Sequence, residues 1–343
     1  YAHPRCSGCG CQADRHGIKI MYRIFTAVSA AALAGLLAAG ASAQTIGFTT
    51  LQPGAINHLQ AQIIGKAVQA NTNLQVRVIP VAGTTATQSA VQNRQAEITI
   101  GDVNNMGDAM HGKGMFSKMK PMKDLRVVLK ITDFPIGIMV RRDSGMVKLT
   151  DLKGKKYPIG WQAFPNGIPL GLGVLASAGM NFSDLKGINV SGLITAANDF
   201  ESGKLDSTLI ALPAPAVRKA DAAVGGIKWL EMPTDAAAVK RVQKIRADYG
   251  IMIVRPRPGA VGVKKPTAFL RIHNLIISAT WVSDDIVYKF AKAMIESKKD
   301  LVKGHPIFNG FFTDKRIAPQ FNGVKYHPGA IKYFKEKGLW GGS

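Results

Sequence analysis

From Ile46 onward, short runs rich in β-branched residues alternate with longer stretches of helical periodicity, and this alternation restricts the chain to layered α/β architectures. Ile46 to Thr49 reads as a strand, and Ile56 to Ala70 as a helix with Leu59, Ile63, Ala67 and Val68 along one face. Gln75 to Ile79 is the next strand, the polar stretch Gly83 to Thr87 opens a helix through Gln92, and Glu97 to Ile100 is a third strand. A second group follows, with strands predicted over 136–140, 156–160, 188–193, 207–211 and 228–232, and helices near 168–178, 196–203, 214–223 and 235–247. The chain then returns to a strand, His273 to Ala279, and to its best-marked helix. There Ser283 is an N-cap residue, Asp284 and Asp285 oppose the helix dipole, and Val287, Phe290, Ala291 and Met294 form an apolar stripe.

Two α/β groups, with the last elements rejoining the first, imply two crossings between lobes. These are expected near 132–136 and 249–257, where Pro135, Pro256 and Pro258 interrupt regular structure. The expected division is therefore a first lobe of residues 44–134 and 256–343 and a second of residues 135–255, with a hinge and a ligand cleft between them.

The N-terminal segment reads differently. Met21, Tyr22 and Arg23 precede an apolar run from Ile24 to Ala39 and the small-residue triplet Ala41, Ser42, Ala43, which predicts a signal peptide on 21–43, cleaved after Ala43, and a periplasmic location. A membrane anchor is the alternative, but the run is short for a bilayer and rich in Ala. Residues 1–20, upstream of a plausible initiator Met21, read as an out-of-frame or non-structural leader. They hold all the cysteines, Cys6, Cys9 and Cys11, with no cluster of partners downstream, so neither a metal site nor a cofactor is expected. A periplasmic protein without cysteine must rest on its core, and 46% apolar residues supply one.

Charge narrows the partners without choosing one. Lys and Arg outnumber Asp and Glu by 44 to 22, and setting aside Arg5, Arg15, Lys19, Arg23 and Asp14 leaves 40 against 21. Such a surface attracts anions. The lysines are spread along the chain with no aromatic–basic platform beside them, so nucleic acid is not an expected partner. Catalytic motifs are missing too: there is no P-loop, H-E-x-x-H or G-x-S-x-G, and Gly171-x-Gly173-x-x-Ala176 lies inside a helical stretch instead of directly after a strand. The histidines His58, His111, His273, His305 and His327 are dispersed. No enzymatic activity is expected.

Four segments, in order, carry a resemblance. They are Val78 to Thr87 with Asn93 to Ile100; Leu149-Thr150-Asp151-Leu152-Lys153-Gly154-Lys155; Phe200-Glu201-Ser202-Gly203-Lys204-Leu205-Asp206; and Ser283-Asp284-Asp285-Ile286-Val287-Tyr288. Together they resemble the TAXI subfamily of TRAP-transporter solute-binding proteins, over most of residues 45–300. The resemblance implies a two-lobed periplasmic-binding-protein-like fold of type II. It also implies a monomeric receptor that captures a small anionic solute, a carboxylate or amino acid, and delivers it to a TRAP membrane permease. Two loops depart from the family pattern, Phe48 to Ala55 and Trp161 to Ile168, so the family's dicarboxylate ligands do not transfer. A thiamine-pyrimidine-synthase-like enzyme on the same fold is the catalytic alternative, and a ligand-sensing binding protein is another.

Loops that end strands and begin helices present unpaired N–H groups able to hold a carboxylate. Thr49, Thr50, Gln52 and Gly54 form one such loop and Gly83, Thr84, Thr85 and Thr87 another, although these hydroxyls also suit helix caps. Asp102 and Asn104 end a strand and can read hydroxyl or amine groups, or simply form a turn. From the second lobe, Trp161 is placed to close over a ligand or to fill the core, with Asn166, Gly167 and Ile168 beside it. Leu212 and Pro213, in a turn like the family's, are expected to shape the cleft wall.

Overall fold

The computed structural model describes residues 44–342, together with Tyr1 and Gly8. The predicted signal peptide, its cleavage point and the three cysteines lie outside the described residues.

The first layer is parallel, as its two strand–helix crossovers require. Strand β1 (Gln44–Thr50) lies between β2 (Leu74–Pro80) and β3 (Ile98–Asp102), joined by helices α1 (Ile56–Asn71) and α2 (Thr84–Gln92). After β3 the chain enters α3 (Val103–His111), which begins on an Asp102 side chain that accepts from the Asn105 amide. The sequence reading missed this helix, because Gly107 and two asparagines dilute its apolar period.

Two long strands then organise the molecule. β4 (Leu125–Arg141) is one 17-residue strand where the sequence predicts only 136–140, and it pairs antiparallel with β10 (Thr267–Ala279) from Leu125↔Ala279 to Ile136↔Leu270. Towards one end, β10 carries β3. Towards the other, β4 takes β7 (Ser207–Ala211) and β8 (Ile227–Trp229), while β10 takes β9 (Gly250–Val254). A separate parallel pair, β5 (Lys156–Ile159) and β6 (Lys186–Asn189), lies outside this sheet.

One sheet thus serves two hydrophobic cores. Ile46, Phe48, Ile64, Ile98, Leu129, Ile131, Leu275, Phe290 and Phe334 belong to the first. Phe134, Ile138, Tyr157, Trp161, Leu209, Trp229, Val254, Phe269 and Ile272 belong to the second. On β4 the change of core falls between Ile131 and Phe134, and on β10 between Ile272 and Leu275. Register shifts between Asn274 and Leu275, and again between Ile276 and Ile277, place irregularities in the ladder beside that change. The segment 249–257, where the sequence suggests a crossing, holds β9 instead, and its Val254 packs in the second core.

The second core is walled by α4 (Gly167–Ser177), α5 (Leu193–Glu201), α6 (Pro215–Ala223) and α7 (Ala236–Ile245). Beyond β10, α8 (Asp284–Glu296) follows the predicted stripe, burying Val287, Phe290, Ala291 and Met294. Then α9 (Lys298–Gly304) and α10 (Pro328–Glu336) close the first core. Among the described residues no helix is long and apolar enough to cross a membrane.

Candidate functional site

Where the two cores meet, a cavity of about 60 Å³ opens between side chains of both. On this scale one water needs roughly 10–15 Å³, so the space takes a solute of about four to six water-sized groups. Its walls are mainly apolar. Ile56, Ile100, Phe134, Phe164, Leu170, Leu193, Leu209 and Ile272 line it, and among the described residues no Lys or Arg does. The polar groups are few and specific: Asn57, Thr84, Thr87, Asp102, Asn166 and Asn274.

The positions of the helices set its chemistry. Helices α1, α2, α4, α5 and α6 each begin at this cavity, with Ile56, Asn57, Thr84, Asn166, Leu193 and Ala214 among its lining. None of the five has a side chain accepting from its first amides. Away from the cavity α7, α8 and α10 are capped by Asp235, Ser283 and His327, while the short α9, which continues from α8 through Ser297, is not. In α4 and α6 backbone carbonyls or prolines account for the first amides, but α1, α2 and α5 present free N–H groups, and with five positive dipole ends around one space the cavity favours an anionic or strongly accepting guest without any formal cation.

Asp102 opposes that field. It is buried, its Oδ1 accepts from the Asn105 amide at 3.0 Å, and its Oδ2 accepts from Asn166 Nδ2 at 3.2 Å. Burial pushes its carboxyl up to about 6, against the pull of these bonds and of the Arg246 charge. The Asn166–Asp102 bond also ties the two halves of the molecule together. So do the Ala216 amide, which donates to the Gly54 carbonyl at 3.2 Å, and the ion pair between Asp108 on α3 and Arg246 after α7. Gly83 has extended backbone that any residue adopts, yet a Cβ there would collide with the Ala163 carbonyl across the cleft. Close approach of the two halves, and not backbone freedom, is what requires glycine at this position.

The residues singled out from the sequence divide into three sets. Thr84, Thr87, Asp102 and Asn166 line the cavity. Gln52 lines an adjoining crevice between the halves, and Gly54 and Gly83 form close contacts across it. The rest lie elsewhere. Thr49 is buried with its hydroxyl donating to the Thr87 carbonyl at 3.1 Å; Thr50 is buried too, and Thr85 and Asn104 stand outside the lining. Trp161 is wholly buried in the second core, held against Phe164 with ring centroids 6.0 Å apart, and Gly167 leaves the space its ring occupies. Ile168 is exposed, and Leu212 and Pro213 line a different cavity.

Most lining residues missed from the sequence are aliphatic and carry no signal distinguishing cleft from core. Asn57 and Asn274 are polar, and Asn274 carries a signal. A buried amide within the apolar run Ile272 to Ile277 needs a partner, and it donates to Gln60 Oε1 at 3.1 Å. Among the described residues no three His, Cys, Asp or Glu side chains gather as a metal site requires.

A family model described as the NMT1-like family matches residues 57–338, nearly the whole of the described chain. The chain belongs to the NMT1-like family. Solved structures place its fold. One described as a periplasmic transporter superposes with a TM-score of 0.54 at 17% identity, covering 88% of this chain and 95% of that one. MatC from Rhodopseudomonas palustris with bound malate gives a TM-score of 0.54 at 12% identity, covering 79% and 90%. The NMT1-like chain therefore has the two-lobed fold of periplasmic binding proteins, with its cavity between the lobes.

Proposed function

We propose that this protein is an extracytoplasmic solute-binding receptor that captures a small organic anion in the periplasm and passes it, unchanged, to a membrane permease of the TRAP type. The observation that carries this reading is the convergence on one cavity between two lobes of five helix N-termini that lack side-chain caps, three of them, in α1, α2 and α5, with free first-turn amides. The hinge of such a receptor is β4 with β10, where both strands change core and their ladder is irregular. The similarity to a malate-bound protein agrees with a carboxylate ligand, and the four sequence segments noted above favour the TRAP class.

The lining refines the ligand. With largely apolar walls, no lysine or arginine and one carboxylate of its own, the cavity suits a monocarboxylate with a short apolar body better than a dianion. The protein is to be unfolded, stripped of bound solute, refolded and screened by thermal shift against mono- and dicarboxylates and amino acids. A short-chain monocarboxylate is expected to raise the melting temperature by several degrees with no chemical change to it. Stabilisation by none of these anions, together with turnover of any of them, would point instead to an enzyme on this fold.

A further inference from the structure

A second cavity, of about 220 Å³, lies beside the same two strands and shares no lining residue with the first. The register puts it on the other face of the sheet. Asp133 and Pro135 on β4 pair with His273 and Arg271, and Met252 on β9 pairs with Phe269, whereas Phe134 and Ile272, paired with each other, face the cleft. Its walls come from both lobes: Leu212, Pro213 and the turn Arg257 to Ala260 on one side, His305 to Gly310 with Phe312 on the other.

The polar groups there are nearly all donors. Thr132 has the parity of Phe134 but lies at the register shift, where it lines this cavity with its methyl towards Gly310; it is 2% exposed, and its hydroxyl has no partner within the protein. His305 accepts from the Ile307 amide through Nδ1 at 3.1 Å, which leaves Nε2 to carry the proton as a donor. Burial and the nearby Arg218 charge both hold His305 below its ordinary value, so it stays neutral near pH 7. Arg257 lines the cavity, and the Arg218 guanidinium lies 3.6 Å from where a Cβ on Gly259 would stand. Among the described residues neither arginine has a carboxylate within ion-pair distance. The one acid present, Asp133, is already neutralised by Lys130 at 2.9 Å and His273 at 2.7 Å.

We propose that this cavity behind the hinge is a second anion site, taking a small tetrahedral or carboxylate oxyanion between Arg257, Arg218, His305 and Thr132, and that its occupation favours the closed cleft. Two exposed guanidinium groups without ion-pair partners, Arg257 in the lining and Arg218 beside Gly259, stand at the rim of a space lined also by His305 and the orphaned hydroxyl of Thr132, a donor set suited to an oxyanion. Because the two cavities lie on opposite faces of the connecting strands, a rotation that closes the cleft widens the space behind it. A guest that fits the wider form therefore binds the closed state better, and by linkage tightens the hold on solute.

Inorganic phosphate is the probe. Titrated by calorimetry against a chloride control of equal ionic strength, it is expected to bind at one site and to reduce the radius of gyration measured by small-angle scattering. Arg257→Ala is expected to weaken phosphate at least tenfold, Arg257→Lys to restore most of the loss, and Thr132→Val to weaken it several-fold. Lys204→Ala, an exposed lysine beside Asp199 that lines neither cavity, should leave phosphate affinity unchanged. Phosphate indistinguishable from chloride, or phosphate binding that survives Arg257→Ala, would overturn the site. Expansion on binding would overturn its coupling to closure.

Discussion

Asp102 is the residue where stability and binding are most tightly linked. Its carboxyl titrates near 3.8 in the unfolded chain and near 6 in the folded one, because burial penalises the charge more than its hydrogen bonds repay. The folded state thus holds the proton longer. The stabilising contribution is complete below about pH 4 and is lost as the pH rises through 6, leaving the ionised form less stable by about 3 kcal/mol. Denaturant titrations from pH 4 to 7 should show that decline in the wild type and a flatter profile in Asp102→Asn, whose amide can still cap α3. The same proton governs binding. Affinity for a carboxylate is expected to rise about eightfold as the pH falls from 7 to 5.5, following protonation of Asp102, and an equal rise in Asp102→Asn would assign the effect to another group. The sequence marked Asp102 and Asn166 because polar residues at strand and helix ends are exposed to a cleft. It could not separate Trp161 from them: an aromatic after a strand looks the same whether it covers a ligand or, as here, fills a core beside Gly167.

Capping is where the helices declare their role. A helix that starts in solvent gains about 1 kcal/mol from a Ser, Thr, Asp or Asn cap, and α7 and α8 have one. Ala55, Gly83, Gly192 and Ala214 stand at the same position in α1, α2, α5 and α6. The contrast was present in the sequence, but it becomes a site only once the fold brings those four ends together. The exception at the cleft is α3, capped by Asp102, and its far end supplies the Asp108 that pairs with Arg246. With side chains 12% and 23% exposed, this pair is shielded enough to matter, whereas the exposed pair of Arg316 with Asp314 is not. It spans the two lobes, so separating them would break it. Arg246→Ala is therefore expected to weaken solute binding about tenfold, mainly by faster release, with little change in the melting temperature of the solute-free protein. A double-mutant cycle with Asp108→Ala should recover most of that loss as coupling, and additive effects would show that the two side chains do not act together.

Across the whole molecule, the α/β alternation was legible because helix and strand periods differ, and so was the existence of two groups of elements. The hinge was not. Pro135 reads as a break, yet it sits within a 17-residue strand, because its carbonyl faces away from β10 and accepts from the Leu212 amide just beyond β7, so the ladder with β10 needs no N–H from it. Propensity sees the ring; only the tertiary pairing shows that no N–H was needed there. Strands that pass from core to core without a loop make the lobes move as units about a short, irregular ladder, and one amide reports that motion directly. Ala216 lies in the first turn of α6, where a helix offers its N–H no internal acceptor, and its partner is the Gly54 carbonyl on the other lobe. When the cleft opens, this amide faces water, so its hydrogen exchange measures the closed population rather than global unfolding. Solute is expected to slow exchange at Ala216 by ten- to a hundredfold while leaving core amides such as Leu129 on β4 unchanged. Equal slowing at both positions would mean that solute stabilises the fold as a whole, and that closure about β4 and β10 is not what binding does.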